Sequence, residues 1–464
     1  MQAFECHGLW NLPDTESTPV AGTLRVSSSG ELRLTVIGSL GSPIGFHEAK
    51  EHSVILGSVD GPLGNNVTLA SCFVTSWKSG SFADVREEYL AHRGFFGAHL
   101  TKPTDAVFRR MELKIGGLGA WAHLLTGFHQ GGLGGKSVGE EAPLLSYTMP
   151  DPVGGPILGG EISLGLGLAS TGGGRKYTFV EQSSVTVTCD PPLSEGEINQ
   201  RFVYPLQNLM TFVSDRAQEL EEVNLWREDI LAPFGENPEI HLIGARVFSE
   251  TEDEKTEEIY PYQLLFTLAD IENGFAPFVE RWLRLTTDYA DACNIFFGLQ
   301  YGPPAYLDLT FLGVIESLCL YYTRREDGVA HRNQENRRLA EVLRNLPETD
   351  ADWVRSHIWI NPFPPLQDIL AKLLGEHSEV MSPLLKTKEG FINRVMNTVN
   401  YTLRRDPEVG LAASHGGDLY SMMAKLRILL KLCFLRELGF STEKAQSLFA
   451  KNGVYAQLSQ NAHR

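Results

Sequence analysis

The sequence predicts an α+β protein in which a β-rich N-terminal region of two β units is followed by an all-α helical bundle. Three observations carry this. Short stretches that alternate apolar and polar residues between Gly-, Ser- and Pro-rich turns fill the first half. From about Phe275 the apolar residues recur at the three-and-four spacing of helices. At 464 residues the chain exceeds what one core usually serves. The expected divisions are a β-rich domain over 1–128, a Gly-rich connection with a second β-rich unit over 129–270, and a helical domain over 275–464.

In the first division, Gly22–Val26 and Glu31–Ile37 alternate around Ser28-Ser29-Gly30, a hairpin pattern. Further strands are expected at Ser53–Leu56, Val67–Thr75, Gly94–Leu100 and Met111–Ile115. Trp10, Trp77 and Trp121 belong either to the core or to a ligand groove, the core being the more frequent fate of tryptophan. Between Gly116 and Gly174 lie 18 of the 45 glycines, so sharp or flexible connections are expected there. The run from Gln130 to Ser137 nearly spells a phosphate-binding P-loop, but Gln130 stands where the first glycine is required, no apolar strand precedes it and no periodic helix follows. It reads as a loop.

The second β unit should hold strands at Tyr177–Val180, Ser184–Thr188 and Glu239–Phe248. A helix is expected from Glu195 to Phe212, with Ser194 as its cap and Glu197 at capping-box spacing. The acidic run Glu250–Glu258 reads as a solvated hairpin tip. Beyond Phe275, Phe278–Phe297 and Tyr306–Tyr322 read as helices separated by Gly302-Pro303-Pro304. Phe391, Val395, Met396, Val399 and Leu403 mark one face of a helix that should stop near Asp406, ahead of Pro407. After Gly416-Gly417, a stripe of Leu419, Met422, Met423, Leu426, Leu429, Leu430, Cys433 and Phe434 marks its antiparallel partner over Asp418–Leu438.

Composition narrows the function classes. Hydrophobic content of 42% and charged content of 21% are those of a soluble globular chain. No signal-peptide pattern opens it, and no run approaches the ~18 apolar residues of a membrane span, so the expected location is cytoplasmic and no membrane partner is expected. Six scattered cysteines suggest buried free thiols rather than a zinc site or disulfides. The histidines show no metal-ligand spacing, and neither metal nor cofactor is expected. A net charge of −17 argues against a general nucleic-acid-coating surface. Between Lys386 and Arg436, however, nine basic residues stand against four acids, a local excess of five that suits either a phosphate-contacting face or a solvated helix face.

The Asn400-Tyr401 pair, the Asp406-Pro407 stop and the Leu-rich run ending at Leu435–Phe440 resemble the end of a HEPN domain of the bacterial ApeA type. There an Arg-Asn-x-x-x-His signature, or more loosely Arg and His with four to six residues between them, closes one helix. The landmarks Gly8–Pro13, Gly22–Leu24, Leu32–Gly38, Ile55–Gly57, Thr68–Phe73, Phe96–Leu100 and Leu118–Trp121 are similar, in order, to the N-terminal domain that accompanies HEPN in ApeA-type anti-phage proteins. The resemblance also covers the helices at Phe278–Phe297 and Tyr306–Tyr322. The two catalytic letters differ: the Arg position is Val399 and the His position is Arg404.

The resemblance implies an abortive-infection defence protein acting on RNA, tRNA among the candidates, without a metal: a base takes the 2′-hydroxyl proton and cations stabilise the phosphorane. It also implies a homodimer whose two motifs line one cleft, and a phage-derived trigger that the sequence does not identify. Asn400 would help hold the geometry, while Arg404 and Arg405 would bind phosphate but cannot act as bases near neutral pH. His415, in a Gly-flanked loop, is the candidate substitute base, with His331 and His357, in polar connections, behind it. Glu316 would either point outward or lie near the motif helix, paired with Arg404 or Arg405. Two readings stay open: an active HEPN ribonuclease with an altered site, and a catalytically inactive RNA-binding sensor or regulator that has kept the HEPN fold.

Overall fold

The computed structural model describes residues 3–13, 18–40, 51–79, 85–130, 145–173, 176–227, 239–243, 259–302, 306–357, 364–405 and 407–462. The expected P-loop-like run beyond Gln130, the acidic run 250–258 and the end of the strand expected at Glu239–Phe248 lie outside them. The chain divides into two compact units, Met1–Glu280 and Arg281–Arg464.

Six antiparallel strands open the first unit: β1 (Phe4–Asn11), β2 (Val20–Val26), β3 (Leu32–Ile37), β4 (Glu51–Asp60), β5 (Asn66–Ser79) and β6 (Val85–Phe96). They pair in the order β3-β2-β1-β4-β5-β6, and β6 returns to β3, so the sheet closes into a barrel without free edges. Period-two alternation puts Leu32, Leu34 and Val36 of β3 inside with Leu24, Val26, Ile55 and Trp10. The β2–β3 hairpin forms as expected, with Gly30 at φ 86° in its turn. The Trp10 ring lies against the Gly57 backbone so closely that a Cβ there would stand 2.3 Å from the ring. Gly57→Ala is therefore expected to cost about 1–3 kcal/mol by overpacking; a urea unfolding midpoint equal to wild type would show that the barrel yields at this point.

The strand expected at Gly94–Leu100 is the tail of the longer β6. Its first half was obscured by Arg86, Glu87 and Glu88, yet Glu87 is fully buried because its carboxylate accepts from Tyr89 Oη (2.5 Å), Ser39 Oγ (2.6 Å) and the Leu40 N–H (3.1 Å). The strand stops at Gly97, whose φ is 108°.

Beyond the barrel come β7 (Val107–Ile115), the short helix α1 (Leu118–Trp121), a small pair β8 (Phe128–Gln130) and β9 (Leu145–Tyr147), then β10 (Val153–Ile157), β11 (Gly160–Gly173), β12 (Lys176–Ser194), β13 (Leu220–Trp226) and β14 (Ile240–Ile243). The order β10-β11-β12-β7-β13-β14 joins the barrel where β14 pairs with Gly94–Phe96 of β6, so one strand serves both β units. The two segments expected as separate strands at Tyr177–Val180 and Ser184–Thr188 form the single strand β12. Its partner β11 is glycine-rich, which hid it from pattern reading. The helix expected at Glu195–Phe212 runs as α2 (Glu195–Ile198), a π-turn over Asn199–Val203 and α3 (Tyr204–Ser214), with the Ser194/Glu197 capping box formed. Trp10 and Trp121 are fully buried and belong to the core, while Trp77 is half-buried.

The helices of the second half are α4 (Phe275–Asp288), α5 (Ala290–Tyr301), α6 (Leu307–Arg324), α7 (Glu326–Arg344), α8 (Glu348–His357), α9 (Leu366–Glu376), α10 (Ser378–Met381), α11 (Lys388–Arg404), α12 (Pro407–Gly410), α13 (Gly416–Glu437), α14 (Thr442–Ala450) and α15 (Gly453–Ala462). The single helix expected at Phe278–Phe297 breaks at Tyr289. There the Thr286 and Thr287 hydroxyls bond back to the Trp282 and Leu283 carbonyls, which loosens the last turn. His331 and His357 lie in α7 and α8, not in connections; these helices are polar on most faces and lack a clear apolar stripe. The α13 stripe is buried as expected, but Ile428, Lys431, Leu432 and Leu435 are buried too, so α13 is the central helix and not half-exposed. It packs on α6, α9 and α14, with Phe434 meeting Phe296 and Tyr321 edge-on. No helix among the described residues is long and apolar enough to cross a membrane.

Candidate functional site

Helix α11 starts at Thr387, whose Oγ1 accepts the Gly390 N–H (3.1 Å). It ends at Arg404, two residues before the Asp406 near which the stop was expected. Arg405 takes the left-handed conformation (φ 55°) and returns its N–H to the Tyr401 carbonyl (2.7 Å). That turn aims the Arg405 guanidinium at Asp308, in the first turn of α6 (2.7 Å), and over the Tyr401 ring (5.4 Å). The Asp308 hydrogen bond, then the Tyr401 contact, raise the Arg405 pKa, so it stays cationic.

Tyr401 also meets His415 edge-on, at 5.0 Å between centroids. Gly410 abuts the same ring: a Cβ there would stand 2.8 Å from it. His415 Nε2 lies 3.0 Å from the Gly410 carbonyl. A carbonyl only accepts, so this bond assigns the proton to Nε2 and leaves Nδ1 as the acceptor of the neutral ring. Thr398 holds the loop: its hydroxyl donates to the Arg394 carbonyl (2.7 Å) and accepts the Ser414 N–H (3.0 Å). Tyr306, Asp308, Thr402, Arg405 and His415 line one open groove of 460 Å³.

The structure therefore brings Arg405 and His415 together. Asn400 and Arg404 are exposed on α11 and do not line that groove. Glu316 is exposed as well, which is the outward-pointing of its two expected alternatives, and the acid that meets Arg405 is Asp308. Eight residues along α6 separate the two acids by about 12 Å of helix rise. Sequence reasoning missed Asp308, although an acid in the first turn after Gly302-Pro303-Pro304 was a usable signal.

The nine basic residues of 386–436 do not form one face. Lys431 is buried, Arg427 lies over Phe296, and Arg436 bonds Glu376 (2.7 Å). The looser motif spacing does occur at Arg325 and His331, but Glu376 (2.7 Å) and Asp327 (3.3 Å) clamp the 11%-exposed Arg325, which keeps it from phosphate.

Among the described residues, one cluster has the side chains for a cation: Glu222, Glu239 and His241, within 4.8 Å of one another. Lys114 (2.6 Å) and Asn224 (2.8 Å) occupy the Glu222 carboxylate. Burial alone would raise that carboxyl, but those bonds outweigh it and hold it below its usual range. These bonds tie the cluster into an ion-pair network. The six thiols are unbridged, and burial pushes Cys72 and Cys293 up to about 12.

A barrel-containing β-rich unit is thus followed in the chain by a helical bundle with an open groove at the end of an Asn-bearing helix. The family model described as ApeA N-terminal domain 1 matches residues 5–282, and the chain belongs to that family. The model described as Apea-like HEPN matches residues 312–444, a stretch that includes Glu316, Asn400, Arg404, Arg405 and His415 but not Asp308. The protein is thus an anti-phage defence protein with a HEPN domain. No curated protein and no solved structure matches the chain.

Proposed function

We propose that the helical unit binds RNA at the end of α11, as a homodimer, and that the altered motif makes binding rather than cleavage its main act. The observation that carries this is the convergence of Arg405 and His415, both packed against the Tyr401 ring, on one open groove, with Arg404 exposed on the same helix end. An exposed pair such as Arg405–Asp308 is screened by solvent and contributes little, so a phosphate can displace the carboxylate. Tyr306 (84% exposed), Leu309, Leu403, Leu411 (94%) and Tyr420 are large apolar residues left open at these same helix ends, which suits a second copy of the chain.

A second reading has its own observation in support. His415 lines the groove that Arg405 shares, and with Nε2 bonded to Gly410 the neutral ring keeps Nδ1 as an acceptor, as a base for a 2′-hydroxyl would. In that reading His415 takes the proton and Arg405 stabilises the phosphorane, with the location cytoplasmic and the trigger phage-derived.

One experiment separates them. Purified protein is incubated with total tRNA and with single-stranded RNA in the presence of a chelator. Salt-dependent binding without cleavage, weakened about tenfold or more by Arg404→Ala with Arg405→Ala, supports the first reading. Cleavage that disappears in His415→Ala supports the second. Neither binding nor cleavage overturns both.

A further inference from the structure

The loop between α11 and α13 lines two cavities. His415 and Gly416 line the groove described above, while Ser414, Gly417 and Asp418 line a separate pocket of 670 Å³. Three cations line that pocket: Lys386, Arg394 and Lys425. Among the described residues none of the three makes an ion pair, and Asp418 is the only acid lining the pocket, so the lining carries a net charge of about +2. Burial, and then the nearby Arg394, hold the Lys425 ammonium below its usual range; an anion in the pocket would relieve the repulsion among these cations.

Two further features point to an anion. Ser414 is 4% exposed, and its hydroxyl is buried without a partner among the described residues although its N–H is satisfied by Thr398. The 22-residue helix α13 begins at Gly416, and Gly417 and Asp418 of its first turn line the pocket, which puts the positive end of the helix dipole there. Phe391 and Met422 add an apolar wall.

We propose that this pocket binds a terminal phosphate, of the kind carried by a nucleotide or by the 5′ end of an RNA. Three convergent cations, a hydroxyl donor and a helix N-terminus in a concavity suit a dianionic end group; a continuous phosphodiester backbone carries single charges along an open surface. The site goes beyond the RNA reading of the motif groove and does not depend on it.

The test is calorimetric titration of the full chain with inorganic phosphate, with adenosine 5′-monophosphate, with adenosine, and with one short RNA bearing a 5′-phosphate or a 5′-hydroxyl. The phosphate-bearing probes should bind and adenosine should not. Tighter binding of the nucleotide than of inorganic phosphate would assign the source to nucleotides, and equal binding would assign it to free phosphate. Arg394→Gln and Lys386→Gln, both at exposed positions where folding is not at stake, should each weaken the phosphate probes about tenfold. Arg404→Ala with Arg405→Ala should leave the binding of inorganic phosphate and of adenosine 5′-monophosphate unchanged, which separates this pocket from the motif groove. Absence of binding, equal binding of adenosine and its 5′-monophosphate, or indifference to both glutamine variants would overturn the proposal.

Discussion

Replacing Arg93 by alanine is expected to destabilise the β-rich unit by about 3 kcal/mol, the lower end of the usual cost of stranding a buried charge because Arg93 is itself 30% exposed. Its guanidinium bonds the Glu195 carboxylate, which is 6% exposed at the start of α2 and also accepts from Asn199. Without Arg93 the carboxylate keeps one amide donor and the start of a four-residue helical turn, too little to replace solvation. Glu195→Gln in the alanine background should recover part of the loss, since a neutral amide is cheaper to bury unpaired. The measurement is the urea midpoint at constant slope. A loss below about 1 kcal/mol, or no recovery in the double variant, would mean that water reaches Glu195 and the pair is not a buried one.

Acidification from pH ~6.5 to ~4 is expected to remove about 3 kcal/mol from the helical unit through His377 alone. Burial pushes this imidazole down to about 4; Glu376 beside it acts in the opposite direction, and Arg436 and Arg325 lower it further. It is 7% exposed, and its Nε2 has no partner among the described residues. The sign follows from proton counts. The unfolded chain binds a proton near pH 6.5 and the folded one near pH 4, so between these values the unfolded state holds more protons and stability falls as pH falls, by about 1.4 kcal/mol per pH unit.

His377→Gln should flatten this part of the stability profile while leaving the region below pH ~4. There Glu376 and Asp327 take over. Burial tends to raise both carboxyls, but Arg325 and Arg436 outweigh it at Glu376 and Lys372 and Arg325 at Asp327, holding both low, so their contribution is present at higher pH and is lost as pH falls through the depressed values. A glutamine variant with the same slope as wild type between pH 6.5 and 4 would assign the acid sensitivity to other groups.

The contrast between these two residues shows what could be read from the chain. Arg93 and Glu195 are 102 positions apart, and each is an ordinary polar residue in its own segment. His377 follows Glu376 in a stretch without any motif. The same limit applied at the candidate site. Asn400 and Arg404 were legible because they occupy the places of a short signature on a strongly periodic helix. Asp308 was not, because its meeting with Arg405 spans 97 residues and depends on the left-handed turn that Arg405 itself adopts. The basic run 386–436 was legible as charge but not as geometry: packing scatters it between a pocket, a buried position and an ion pair.

Local pattern alone determined that a β-rich half precedes a helical one, that the β2–β3 hairpin and the Ser194 capping box form, and that α11 ends beside Asp406, because alternation, capping and the Pro407 constraint act over a few residues. The identity of the family followed from the order of such landmarks. Tertiary structure decided that β6 closes the barrel and also joins the second sheet, that α13 is central, that Asp308 rather than Glu316 faces Arg405, and that Lys386, Arg394 and Lys425 line one pocket. Those outcomes depend on burial and on contacts between distant segments, where the free energy of a polar or charged side chain is set by what folding places around it rather than by its neighbours in sequence.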